Sequence, residues 1–401
     1  MNILLHIGTE KTGTTSIQEF LFKNRSVLGG NGYYFLQSPG QKNNRALPSI
    51  CMRADKTDDF FIEKGVVSAD ERKSYEEEFL KKFKEEIETI PNNVHTVVCS
   101  SEHFHSRLTY EDEVKKLKNI LDGYFDSVQI LVYLRPQADV ALSLYSTTLR
   151  SGNDAEFSDV VERQCVPSNE YYDYKSLLER WNKIFGDGSV TPKVFRKDWF
   201  YQGNLLRDFA FSINEALVER CDFDVPKKNE SINHFGQVLI KLINRHLPRF
   251  LPNKGINKLN LSLGRLVASE CPGKGLSLGA EEYSALQARF DELNLCLSKE
   301  YFSQESNVFE CALPSDENRM LSEEHVELLD SVLGMVVNSK SAGLASPFVD
   351  DLRDAAILLE EVDVEKSYRL MKLAAMFRPR GPKIREKLRS YEKLLKEASK
   401  A

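Results

Sequence analysis

The stretch that most constrains the fold is the opening Ile3-Leu4-Leu5-His6-Ile7-Gly8-Thr9-Glu10-Lys11-Thr12-Gly13-Thr14-Thr15-Ser16-Ile17-Gln18. An apolar run stops at Gly8, a short polar loop follows, and Ile17, Phe20 and Leu21 then recur on one helical face. The pattern predicts strand, loop and helix in direct succession. Gly13 lets backbone N–H groups approach a ligand closely. The first N–H groups of the helix have no intrahelical partner and lie at its positive dipole end, where phosphate or sulfate oxygens bind readily. Thr12, Thr14, Thr15 and Ser16 add hydroxyls, and Lys11 adds a cation placed to neutralise charge on a leaving oxygen.

The chain has 401 residues, 41% of them hydrophobic, which suits two or three domains or one large α/β core with appendages. Its net charge of −6 disfavours a global nucleic-acid or anionic-membrane role, so an anionic ligand must be held by local groups. Seven Cys without C-x-x-C pairing or His-rich spacing read as reduced thiols of a cytosolic protein without a metal site. The run Ile3 to Ile7 is too short for a signal-peptide core, and no 18-residue apolar stretch occurs. A cytoplasmic protein without an integral membrane segment is expected.

Further strands are expected at 96–100, 128–134 and 190–195, and helices at 70–90, 110–121, 138–149, 174–184 and 205–213. The near-continuous apolarity of Val128 to Leu134 suits the centre of a parallel sheet. Strands alternating with helices predict an α/β fold of βαβ units around that sheet, three layers deep. Residues 29–65 and 252–279 read as loop, on Gly29-Gly30-Asn31-Gly32, Pro39-Gly40, Pro252, Gly255 and Pro272. Beyond 204 the pattern is helical, with helices at 236–246 and 280–297. The expected organisation is an α/β domain over 1–313, a linker with helix over 314–346, and a helical segment over 347–401. Small residues at Ala355, Ala356, Ala374 and Ala375, with Pro379 closing a helix, make that last segment similar to one tetratricopeptide unit. Between Arg378 and Lys400 it carries nine Lys or Arg against three Glu, which reads first as a solvated helix face and otherwise as a docking surface for an acidic partner or membrane.

The second informative stretch is Ile130-Leu131-Val132-Tyr133-Leu134-Arg135-Pro136, with Ser143 eight positions after Arg135. Arg135 ends a strand and Pro136 blocks its continuation. A guanidinium at a strand's carboxyl end can grip phosphate bidentately, and a nearby hydroxyl can add one bond. The loop at Gly8–Ser16 has the glycine spacing of the nucleotide-triphosphatase pattern G-x-x-x-x-G-K-[ST], but Thr14 stands where Lys is required. Lys-Thr-Gly-Thr-Thr after an N-terminal strand, with Arg135-Pro136 and Ser143 downstream, instead resembles the sulfotransferases that use 3′-phosphoadenosine 5′-phosphosulfate (PAPS). The resemblance implies a P-loop-like fold, a 5′-phosphosulfate loop at Lys11, Thr12, Gly13, Thr14, Thr15 and Ser16, and a 3′-phosphate site at Arg135 and Ser143. It extends to Ser189–Ile213, where Arg196, Lys197 and Trp199 would lie near the adenosine, with surface loop and a packing Trp as the plain alternative. The family's closing G-x-x-G-x-x-K motif is absent; Gly273-Lys274-Gly275, or Asn229 and Ser231, are substitutes that read better as turns.

Sulfuryl transfer needs a group to take the acceptor's proton. Ser100-Ser101-Glu102-His103-Phe104-His105 follows a strand and should reach the same sheet edge as the loop. By resemblance to the carbohydrate enzymes Glu102 is the expected base, with His105 and His103 as alternates, because a crevice carboxylate can act as general base; a helix cap or a pair with Arg107 is its plain alternative. The acceptor implied is a hydroxyl, on a saccharide of a cell-surface polymer or glycolipid. Two rival readings are a nucleotide enzyme with a degenerate P-loop and a non-catalytic polysaccharide-assembly protein.

Overall fold

The computed structural model describes residues 1–56, 58–226, 231–251, 255–310, 347–378 and 380–398. The expected linker at 314–346, Asn229 and Pro379 lie outside the described residues. The chain divides into two compact units, one of Met1–Ala141, Val161–Asn229 and Ala280–Leu313, the other of Leu142–Val160, Glu230–Gly279 and Pro314–Ala401.

The first unit is built on five strands: β1 (Asn2–His6), β2 (Tyr33–Phe35), β3 (Thr96–Ser100), β4 (Ser127–Leu134) and β5 (Val190–Val194). They pair in parallel in the order β2-β3-β1-β4-β5, with β1 central. Alternation along each strand splits its side chains between two cores. Ile3, Leu5 and Ile7, Val97 and Cys99, and Ile130, Val132 and Leu134 enter one core, closed by helices that include Ala69–Glu88, Glu111–Leu121 and Tyr174–Phe185. Leu4, Val98, Leu131 and Tyr133 enter the other, closed by Thr14–Lys23 and Leu205–Ile213. Burial on both faces explains why these strands are nearly unbroken apolar runs. The result is the expected α/β fold, a parallel sheet between two helical layers. β1 leads away toward β2 and β4 toward β5, on opposite sides, so the crevice between their carboxyl ends is the topological switch point where such sheets bind ligands.

The second unit is helical. Its core joins Tyr145 and Leu149, Leu239 and Ile243, Leu263 and Val267, and the C-terminal Ala356, Met371, Ala374 and Tyr391. The last three helices, Pro347–Leu358, Val364–Phe377 and Pro382–Ala398, pack on one another in chain order. Ala355, Ala356 and Ala374 are buried where they meet, as the small-residue pattern predicts. Two expected loops contain regular structure. Strand β2 and helices Ala46–Cys51 and Asp59–Glu63 lie within 29–65, and helix Lys258–Glu270 lies within 252–279. Gly and Pro mark the boundaries of these short elements rather than their absence; Asn257 caps the latter helix, accepting from the Leu259 and Asn260 N–H groups. The expected helix at 280–297 is two, Ala280–Ala288 and Asp291–Phe302. Among the described residues no helix is long and apolar enough to cross a membrane.

Candidate functional site

The loop grows directly out of β1 and stays tied to its neighbours. Beyond the last ladder pair, the Thr9 N–H donates to the Tyr133 carbonyl at 2.9 Å and the Tyr133 N–H to the Gly8 carbonyl at 2.7 Å. The buried Thr12 hydroxyl closes the loop onto the Thr9 carbonyl at 2.6 Å. Lys11 and Gly13 both take left-handed backbone conformations, with φ of 66° and 73°. Gly13 is required for two reasons: its positive φ, and the Leu205 methyl that would lie 2.4 Å from any Cβ placed there. Helix Thr14–Lys23 starts with no side chain capping its first turn, which leaves that dipole end to the loop.

Two other strand ends meet this loop. A Cβ at Gly8 would lie 3.1 Å from the Glu102 Cα, so the glycine lets the end of β3 pass close beside the loop. From β4, the Arg135 guanidinium donates to the Lys11 carbonyl at 3.1 Å and pairs with Asp139 at 3.5 Å. Its backbone is held by the Tyr174 hydroxyl, which donates to the Arg135 carbonyl at 2.7 Å. Phe195, just past β5, lies near both, with the Arg135 guanidinium 5.7 Å from its ring centre. The sheet edge therefore gathers Lys11, Thr12, Gly13, Thr14, Thr15, Ser16, Glu102 and Arg135. Ser143 lies half-buried farther along helix Gln137–Arg150, in the part of the chain that belongs to the helical unit.

Glu102 sits at the N-terminal cap position of helix His103–Arg107 without capping it. Its carboxylate accepts from the Gln18 side chain at 2.7 Å and from the Asn43 side chain at 3.2 Å. Asn43 is itself held by the Ser101 hydroxyl, which donates to it at 2.7 Å. Arg107 does not pair with Glu102; it is engaged by Asp58 at 2.6 Å. Burial pushes Asp58 up, but hydrogen bonds from the Phe60 N–H and Arg107 and the Arg45 charge outweigh it and bring its carboxyl down to about 2.

His105 is placed differently from the alternate base expected of it. It is 2% exposed, its Nε2 donates to the Tyr171 carbonyl at 3.0 Å, and its Nδ1 is buried without a partner. Burial pulls its pKa down to about 4, so the ring is neutral and inward. His103 is likewise lowered, first by burial. The last residue of β1, His6, is fully buried against the Ser100 hydroxyl at 2.8 Å and falls to about 3 for the same reason.

Three contributors had weak or no sequence signals. Gln18 is a buried polar residue on the otherwise apolar face of the first helix, which was a readable clue. Asn43 lay in a stretch read as loop and gave none. Glu10 accepts from the Tyr171 hydroxyl at 2.9 Å. Burial raises its pKa, but hydrogen bonds from Ser106 and Tyr171 and the Arg107 charge lower it overall. The loop's own carboxylate is thus held in its charged form by Tyr171 and Arg107. The remaining expected positions serve structure. Arg196 pairs with Asp198 at 2.7 Å and donates to the Val308 carbonyl, and Trp199 packs edge-on to Phe302 at 5.9 Å. Ser231 and Gly273-Lys274 line an open hollow of about 620 Å³ in the helical unit, where the Gly273 N–H donates to the Ser231 carbonyl beside the antiparallel bridge of Ile232 and Pro272, a long-range pairing rather than the expected turn.

No protein-family model matches the chain. A protein of Archaeoglobus fulgidus described only as uncharacterized is 25% identical over 202 residues. The match takes in 50% of this chain, which spans about half the length of that curated relative (50%). Among solved structures, a sulfotransferase from Alicyclobacillus acidocaldarius superposes with a TM-score of 0.39 at 14% identity, over 73% of this chain and 94% of that one. Similarity that low transfers neither a fold nor a reaction.

Proposed function

We propose that the chain is a PAPS-dependent sulfotransferase that moves a sulfuryl group to an acceptor hydroxyl, on a saccharide of a cell-surface polysaccharide or glycolipid. The observation that carries this reading is the meeting of an uncapped helix start, a loop lysine, a guanidinium and an oriented carboxylate at one switch-point edge of the sheet. The donor set fits a nucleotide with anionic groups at both ends: Lys11, Arg135 and the loop hydroxyls lie at this edge, and the loop's carboxylate, Glu10, accepts a hydrogen bond from Tyr171. When bound, the cofactor supplies the sulfuryl group and an adenosine bisphosphate leaving group. Lys11 and the first-turn N–H groups hold the 5′ end and stabilise charge on the oxygen that leaves. Arg135 holds the 3′-phosphate; for Ser143 the support is its spacing from Arg135 alone. Glu102, fixed by Gln18 and Asn43, accepts the acceptor's proton as the new oxygen–sulfur bond forms. In this reading His105 is a neutral, buried packing group, and His103, half-buried with its pKa lowered first by burial, takes no part in the reaction. A saccharide acceptor is favoured because Glu rather than His occupies the base position, as in the carbohydrate enzymes of the family that the motif resembles.

Calorimetry with 3′,5′-adenosine bisphosphate and with ATP–Mg²⁺ tests the reading. Binding of the bisphosphate, with transfer of ³⁵S-sulfate from PAPS to an oligosaccharide pool, supports it. Tight ATP–Mg²⁺ binding with no affinity for the bisphosphate would sink it in favour of a nucleotide enzyme. Binding of neither ligand would leave a structural protein of polysaccharide assembly.

A further inference from the structure

We propose that the helical unit docks on an anionic lipid surface through the exposed apolar side chains of Phe250, Leu251 and Ile256. Phe250 and Ile256 face each other in an isolated antiparallel bridge. The neck is held by the Leu251 N–H on the Gly255 carbonyl and the Asn257 N–H on the Arg249 carbonyl, each at 2.8 Å. The Asn257 side chain adds a bond to the Pro248 carbonyl at 3.1 Å and caps helix Lys258–Glu270. This strap of residues 248–251 and 255–257 is therefore tied together between two packed helices, His234–His246 and Lys258–Glu270.

It presents its apolar side chains outward. Phe250 is 59% exposed, Leu251 41% and Ile256 52%, the densest run of large exposed hydrophobics among the described residues. Leaving them in water costs free energy that a soluble surface has no reason to bear. Their setting is basic. Residues 231–279 carry seven Lys or Arg against a single Glu, Glu270, in a chain whose net charge is −6. Lys258 and Arg265 are exposed on the helix that leaves the turn, and Arg249 starts its neck. The same unit carries the basic helix Pro382–Ala398, with Lys383 and Arg389 exposed. Exposed apolar side chains beside the exposed cations Lys258 and Arg265 are the composition that inserts at a bilayer interface while basic neighbours meet anionic headgroups; Lys241 and Arg245, farther back, are already paired with Glu156. The overall negative charge hides this, because the cations are concentrated in two segments of one unit. The inference stands whether or not the sheet edge binds an adenosine bisphosphate.

The test is sedimentation of the whole chain with vesicles of phosphatidylcholine alone and of phosphatidylcholine mixed with phosphatidylserine. The protein should pellet with the mixed vesicles, less so at high salt. The Phe250→Ser/Leu251→Ser/Ile256→Ser variant should lose about tenfold or more of that partition, and Lys258→Glu/Arg265→Glu should lose a similar share of it. All five positions are exposed, so circular dichroism and the melting temperature should stay unchanged in both variants. No sedimentation of the native chain with mixed vesicles overturns the proposal, as does full binding by the apolar triple variant. A native dimer that the triple variant turns into a monomer, with no vesicle binding, reassigns the turn to self-association.

Discussion

The sheet unit and the helical unit reach order by different routes. At the edge of the sheet, Gly8, Glu102 and Arg135 come from distant parts of the chain and meet because three strands run parallel in one register. In the helical unit, successive C-terminal helices pack on their chain neighbours, and Ala355, Ala356 and Ala374 mark the seam. The charges differ as well. The sheet edge holds single cations against compensating carboxylates, such as Arg107 with Asp58 and Arg135 with Asp139. The helical unit concentrates cations in two segments that have few acidic neighbours in sequence. A site that orients one anion needs individual partners, whereas a surface that meets many headgroups needs density.

The sharpest way to break this contrast is at the sheet edge. Glu102→Gln keeps the shape of the side chain but removes the proton acceptor, and should lower kcat for sulfuryl transfer by about 10²–10⁴-fold. Unchanged turnover would show that the oriented carboxylate is only a strut. Lys11→Ala should cost about 10²–10³-fold in kcat, since it removes a cation aimed at developing charge; a purely binding role would appear as a higher KM with kcat intact. Arg135→Ala removes charged hydrogen bonds and should raise the Kd for 3′,5′-adenosine bisphosphate by about 10–100-fold in calorimetry. The Kd for adenosine 5′-monophosphate should change far less, and equal losses for both ligands would refute the 3′-phosphate assignment.

Smaller effects separate packing from chemistry. Gly13→Ala forces a Cβ into a left-handed backbone and against Leu205, and should destabilise by about 1–3 kcal/mol in urea unfolding. The smallest effect concerns the buried histidines. His105 and His6 have folded pKa values of about 4 and about 3, below the ordinary 6.5, so the unfolded chain binds more protons between those limits. Stability is then full above about pH 6.5 and falls as pH drops, by about 1–2 kcal/mol per histidine at pH 5. His105→Gln should reduce that loss, and an identical pH profile would mean the ring is not held neutral.

Much of the fold was legible because its signals are local. Strands β3 and β4 and helix Leu205–Ile213 follow their hydrophobic periods almost to the residue. Strand β2 was missed because three residues between glycines carry no periodicity, and its burial comes only from pairing with β3. Helix Lys258–Glu270 was missed because flanking Gly and Pro outweighed a cap at Asn257.

The site divides along the same line. By itself the sequence determined the strand–loop–helix, the displaced Lys11 and the strand-ending Arg135, since loop conformation and helix start depend on neighbouring residues. Only the tertiary structure decided which partners hold the Glu102 carboxylate and which bury His105. Those partners are Gln18, Asn43 and Tyr171, which sequence distance separates and the fold brings to one edge.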